Sequence, residues 1–238
     1  MTSDRQFIAV IAAIRSGDLE ALQRLLTDDP SIAASRLGGI ANGRTPLHVV
    51  SDWPGFFPNG SRIARLLIDT GAEVNVRSDG DHGETPLHWA ASSDDADVAA
   101  VLIDCGADIE TQGGSIGTPL DNAIGYNCWN VARLLVARGA RVDALWHAAA
   151  LGLSSRLEEL LSDETLATPE NVSQAFWHAC AGGQRRTAEL LFDRGADLNW
   201  QPDYATGTAL DAANAHGTGQ DNLIRWLTAQ GAIASESK

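Results

Sequence analysis

Gly83-Glu84-Thr85-Pro86-Leu87-His88-Trp89-Ala90-Ala91 is the stretch from which the rest of the chain can be read. Thr followed by Pro marks a helix start. The hydroxyl can accept a bond from a free backbone N–H, and Pro at the first helical position has no N–H to leave unpaired. Ala90 and Ala91 then make a thin face that another helix can approach closely. The pattern returns as Arg44-Thr45-Pro46-Leu47-His48 and as Gly117-Thr118-Pro119-Leu120-Asp121. Weaker copies run through Leu145-Trp146-His147, Phe176-Trp177-His178 and Thr208-Ala209-Leu210-Asp211. Counted from His88, the same position recurs at Asp121, His147, His178 and Asp211, with spacings of 33, 26, 31 and 33 residues. A recurrence at this period marks a stacked repeat.

A second signature follows most copies by about twenty residues. It reads Leu66-Leu67-Ile68-Asp69-Thr70-Gly71-Ala72, Val101-Leu102-Ile103-Asp104-Cys105-Gly106-Ala107, Leu134-Leu135-Val136-Ala137-Arg138-Gly139-Ala140 and Leu190-Leu191-Phe192-Asp193-Arg194-Gly195-Ala196. Paired leucines before a Gly describe an amphipathic helix closed by a left-handed residue. With both signatures in place, the chain resembles the ankyrin-repeat family over roughly residues 5 to 233. The resemblance implies an all-α solenoid of about seven helix-turn-helix repeats with short β-hairpin fingers, in one domain over 1–238. The repeats fall near 5–37, 42–78, 83–110, 117–143, 144–165, 170–200 and 207–233. It also implies protein–protein recognition through a concave groove, and a structural role for the repeated histidine in bonding backbone between repeats.

Two places depart from the pattern. Thr45 to Gly71 is 26 residues, against 21 for both Thr85 to Gly106 and Thr118 to Gly139. The extra five lie in Ser51-Asp52-Trp53-Pro54-Gly55-Phe56-Phe57-Pro58-Asn59-Gly60, whose rings either plug their own repeat or anchor a partner. Gly139 to Ala144 is only 5 residues, where Gly71 to Thr85 is 14, so no finger is expected there. Fingers are expected near Asn75–Glu84, Glu110–Gly117 and Asn199–Gly207. Thr168-Pro169-Glu170 reads as an early cap that lengthens the following helix.

Composition narrows the function. A net charge of −14, from 31 acids and 17 bases, argues against nucleic acid, which is held by Lys and Arg. It suits solubility or a basic partner. No run approaches the roughly eighteen apolar residues of a membrane span, and the N-terminus lacks a secretory pattern. Three cysteines without metal or redox spacing fit a reduced, cytoplasmic setting. A monomer is expected.

No catalytic set, metal site or cofactor is read from the chain. His48, His88, His147 and His178 share one repeat position, and packed helices about 8–10 Å apart keep them from a common zinc, which needs nitrogens at about 2.0–2.1 Å. Gly113-Gly114-Ser115-Ile116-Gly117 matches a hydrolase elbow by pattern alone, since no strand precedes it. The candidate binding residues are Trp53, Phe56, Phe57, His82, Trp89, Tyr126, Trp129, Tyr204 and His216, rings and histidines placed at turns, fingers and the inner helices. The alternative is an enzyme or small-ligand receptor with a pocket in the irregular repeats 4–6, with Trp129, Tyr126, His147 and His178 as its first candidates.

Overall fold

A computed structural model describes residues 2–37, 43–79, 83–215 and 220–235, with side chains from Arg5 onward. Contacts divide the chain into two compact units, Met1–Ala140 and Arg141–Lys238. The division falls in the short connection that the sequence marks as lacking a finger.

The N-terminal unit contains four helix pairs. They are α1 (Thr2–Ser16) with α2 (Leu19–Asp28), α3 (Pro46–Ser51) with α4 (Gly60–Asp69), α5 (Pro86–Ser92) with α6 (Ala96–Asp104), and α7 (Pro119–Gly125) with α8 (Trp129–Ala137). A 3-10 turn, Pro30–Ala34, follows α2. The C-terminal unit contains three pairs, α9 (Leu145–Ala150) with α10 (Ser154–Leu161), α11 (Pro169–Ala181) with α12 (Arg185–Asp193), and α13 (Ala209–Ala215) with α14 (Asp221–Ala229). Each unit is an ankyrin-type solenoid in which successive pairs stack.

The expected starts hold. Thr45, Thr85, Thr118 and Thr168 each stand in extended conformation directly before a Pro that opens a helix. α13 begins directly after Thr208, whose backbone N–H and hydroxyl both donate to Asp211 Oδ2, at 2.8 and 3.0 Å. Inner helices pack through small residues: Ala90, Ala91 and Ala123 are fully buried, and α5 lies against both α3 and α7. Leu47, Leu87 and Leu120 fill the layer behind them. Full burial of each such leucine stabilises by about 1.5–3 kcal/mol, so stacking holds a unit that one pair could not.

The second signature also has a local cause. After α6 the N–H of Gly106 bonds Ile103 O at 3.0 Å and that of Ala107 bonds Leu102 O at 2.9 Å. This closure needs a left-handed residue, and Gly106 supplies it at φ 90°. Ala72, Ala140 and Ala196 repeat the second of these bonds, to Leu67, Leu135 and Leu191. Turns also reach forward. Asp94 Oδ1 accepts the N–H groups of Asn130 and Val131 at 2.9 and 3.0 Å, which caps α8 of the next repeat.

The fingers differ from the sequence reading. Among the described residues no strand forms, and the first two fingers each show one backbone cross-bond, from Ser78 N to Glu84 O and from Gly114 N to Gly117 O, both 2.8 Å. Side chains take over the pinning: Glu84 accepts Ser115 N at 2.8 Å and Asn122 Nδ2 at 2.9 Å. Burial raises the Glu84 carboxyl, but those bonds outweigh it and hold the group below its usual range. On α1 the buried side is made by Val10, Ala13 and Ile14, and Ile8 is exposed. Residues 141–144 carry no hairpin, as expected.

Candidate functional site

The inserted loop between α3 and α4 is pinned along its length. Arg44 reaches over the Trp89 ring, 4.7 Å from its centroid, and donates to Asp52 Oδ2 at 2.9 Å. The other Asp52 oxygen accepts the Trp53 N–H at 2.9 Å. The Phe56 N–H donates to Asp95 Oδ2 at 2.8 Å, while Asp95 Oδ1 caps α6 through Val98 N. Gly55 between them sits at φ 72° against the next repeat, where a Cβ would meet Ser93 O at 3.0 Å. Only glycine takes both that conformation and that approach without strain.

With its backbone fixed, the loop displays its rings. Trp53 is 76% and Phe56 65% exposed, so neither plugs its own repeat, while Phe57 is half-buried. Trp89 is held edge-on against His48, with centroids 4.9 Å apart. Its indole Nε1 and Arg44 Nε are buried with no hydrogen-bond partner. Tyr126 ends α7, is half-exposed, and meets Ser115 of the finger through its hydroxyl at 3.2 Å. Trp129 opens α8 and is partly buried. Arg44 and Asp52 thus join Trp53 to Trp89, whereas no ring contact among the described residues links Trp53, Phe56 and Tyr126. His82 and His216 lie outside the described residues. Arg44, Asp52 and Asp95 carry no motif of their own; the one sequence hint is their closeness to the insertion and to a helix start.

The repeated histidines are structural in the N-terminal unit. His48 Nδ1 accepts the Thr45 N–H at 3.2 Å, which leaves the proton on Nε2 to donate to Glu84 O at 3.0 Å. His88 repeats this with Thr85 N at 3.2 Å and Gly117 O at 3.1 Å. Burial lowers both histidines, His48 to about 4. At Asp121 a carboxylate keeps the cap, accepting Thr118 N–H at 2.6 Å, but has no proton to donate.

The C-terminal unit departs from this scheme. Because Thr168 starts α11 two turns early, the residue three before His178 is Ala175, inside the helix, and its N–H is not available to cap. His178 Nδ1 is buried without a hydrogen-bond partner, and Nε2 lies 3.1 Å from the Tyr204 hydroxyl, which also accepts from Gln174 Nε2 at 3.1 Å. Trp177 takes over the stacking bond: its indole N–H donates to Gly207 O at 3.1 Å. Gly207 stands just before Thr208, as Glu84 and Gly117 stand before Thr85 and Thr118. Burial, aided by the nearby His147, lowers His178 to about 3. Burial likewise pushes Cys128 up to about 11 and Cys180 upward, so neither is a ready thiolate. Among the described residues no three metal-ligating side chains converge.

Stacked helix pairs closed by a left-handed glycine, with a capping Thr-Pro and a histidine bonded to the next repeat's carbonyl, define a helical repeat protein. A family profile for ankyrin repeats, in three copies, matches residues 9–113 and 59–144. The chain belongs to the ankyrin-repeat family. It is similar to the neurogenic locus Notch protein of Drosophila melanogaster, 31% identical over 140 residues, 55% of this chain and 5% of that protein. It is also similar to human ankyrin repeat and SOCS box protein 16, 30% identical over 142 residues, 42% of this chain and 30% of that protein. The matches therefore span less than a third of these relatives. Among solved structures, the human ASB11 ankyrin repeat domain superposes with a TM-score of 0.54 at 22% identity, over 92% of this chain and 96% of that one. Ankyrin repeats are in general protein-interaction modules. Among the described residues no helix is long and apolar enough to cross a membrane.

Proposed function

We propose that the chain binds a protein partner, with the inserted loop and neighbouring rings of the N-terminal unit, Trp53, Phe56, Phe57, Trp89 and Tyr126, as the contact surface on the finger and inner-helix side. The observation that carries this is the exposure of Trp53 and Phe56 on a loop whose backbone is tied to Asp52 and Asp95. Large rings held rigidly in water lose little entropy on docking, which is what binding hot spots require. The acidic balance of −14 favours a basic partner. Three free cysteines suit a reducing, cytoplasmic setting, and the chain acts as a monomer.

The test is the double variant Trp53→Ala, Phe56→Ala, compared with wild type in melting and in affinity for captured partners. The expected result is near-normal melting with affinity at least tenfold weaker, a loss of about 1.4 kcal/mol or more. Unchanged affinity for every captured partner would overturn the assignment. Weakening of the complex by salt checks the charge component.

A further inference from the structure

In the C-terminal unit a cavity of about 160 Å³ opens at the start of α9, with the extra turns of α11 contributing another wall. Pockets for drug-sized ligands run to about 300–1,000 Å³. This one has room for about five waters or one long side chain. Trp146 and Leu166 supply apolar wall, and Asp143, Asn171 and Gln174 the polar part.

The polar groups are arranged one way. Asn171 uses one of its two amide N–H groups on Leu166 O at 2.9 Å, and Gln174 one of its own on the Tyr204 hydroxyl at 3.1 Å. Each is left with its amide oxygen as an open acceptor. The Asp143 carboxylate accepts no hydrogen bond among the described residues and has only His147 Nδ1 at 3.7 Å; it is 65% exposed, so water and ligand can both reach it. Trp146 is held in place by packing on the rings of His147 and His178, at 4.2 and 4.9 Å between centroids. One anion, two neutral acceptors and an indole make a site for a flat cation rich in N–H donors.

We infer that this cavity takes an arginine side chain of the protein partner, its guanidinium against Trp146 and hydrogen-bonded to Asp143, Gln174 and Asn171. Guanidinium fits better than the lysine ammonium because it is planar, carries five donors in a fixed fork, stacks on indole and is more weakly hydrated. The partner as the source of the arginine rests on the protein-binding reading above; the chemistry of the cavity does not.

The test therefore uses the full chain with N-acetyl-arginine amide as probe, followed by the NMR signals of the Trp146 indole N–H and the Asn171 and Gln174 side-chain amides. Trp146→Phe identifies the indole signal. The expected result is a saturable shift at these three residues. N-acetyl-citrulline amide, of the same shape but neutral, and N-acetyl-lysine amide should bind at least tenfold more weakly, and Asp143→Asn should weaken arginine binding at least tenfold. Asp143 is on the surface, so this variant folds, and its melting is checked alongside. An absent or unsaturable shift, an equal response to citrulline, or an unchanged Asp143→Asn titration overturns the inference. Should the probe bind while Asp143→Asn leaves affinity for captured partners intact, the partner's arginine is ruled out. The protein-binding reading stands or falls separately, on the Trp53 and Phe56 variant.

Discussion

The two units solve one joining problem with different residues. In the N-terminal unit a histidine closes its own helix cap with one nitrogen and donates to the next repeat's carbonyl with the other, at His48 and again at His88. In the C-terminal unit the early start of α11 removes the cap, and the adjacent Trp177 makes the carbonyl bond instead. The carbonyl's place in the repeat is unchanged; the donor has moved by one residue. The joint is thus defined by its acceptor, and any rigid N–H donor brought to that spot can make it. His178, released from the duty, keeps the position of its N-terminal counterparts without their function.

The comparison can be broken most severely at Trp177. Trp177→Ala removes a buried indole and its bond, and should cost about 3–5 kcal/mol in urea unfolding. Trp177→Phe keeps most of the volume but leaves Gly207 O unpaired, and should cost about 1–3 kcal/mol. No loss in Trp177→Phe would mean that the hydrogen bond contributes nothing, and equal losses for the two would mean that the ring's volume contributes nothing.

Acid is the next lever. His48 is held neutral to about pH 4, while unfolding frees it to titrate near 6.5. The unfolded state then binds more protons, so stability is full above about pH 6.5 and falls as the pH drops toward 4. At about 1.4 kcal/mol per pKa unit, His48 alone accounts for about 3 kcal/mol at pH 4. The depressed Glu84 acts in the same direction at lower pH. Urea midpoints that stay level from pH 7 to 4 would contradict the burial of these rings.

A smaller effect separates the histidines from one another. His88→Leu strands the Thr85 N–H and Gly117 O and should cost about 1–3 kcal/mol, whereas His178→Leu removes an unpartnered Nδ1 and one bond to a Tyr204 hydroxyl that keeps Gln174, and should change stability by under about 1 kcal/mol in either direction. Similar losses at both sites would show that the two positions are equivalent after all. Smallest is Trp53→Ala, expected within about 0.5 kcal/mol of wild type because the ring is in water. Calorimetry of the full chain also tests the sequence reading of one domain over 1–238: one transition is expected, and two would assign a domain to each unit.

What could be read from the sequence is what is local. Thr-Pro caps, the glycine closures and the fingerless connection involve residues within a few positions of each other, so their pattern survives in one dimension. The early cap at Thr168 was readable for the same reason. Its consequence was not, because the exchange between Trp177 and His178 depends on Gly207 and Tyr204, about thirty residues away, and Trp177 could be read only as packing. The exposed rings of the inserted loop were readable as an oddity; Arg44, Asp52 and Asp95, which fix how they are shown, were not. Strands expected in the fingers failed because Glu84 and Asn122 hold the finger through side chains, which leaves no ladder for a backbone pattern to announce.

That the stacking bond ends on a main-chain oxygen has one more consequence. Its acceptor belongs to a glutamate in one finger and to glycines in two others, and the bond is the same length to within 0.1 Å in all three. The bond itself is therefore blind to the side chain, although the place is not: Glu84 adds its own bonds to Ser115 and Asn122, and a Cβ at Gly117 or Gly207 would run into Asp121 or Asp211. Where the capping residue is an aspartate the place before Thr is held to glycine, and where it is a histidine a glutamate can stand there and add a second tie to the neighbouring repeat.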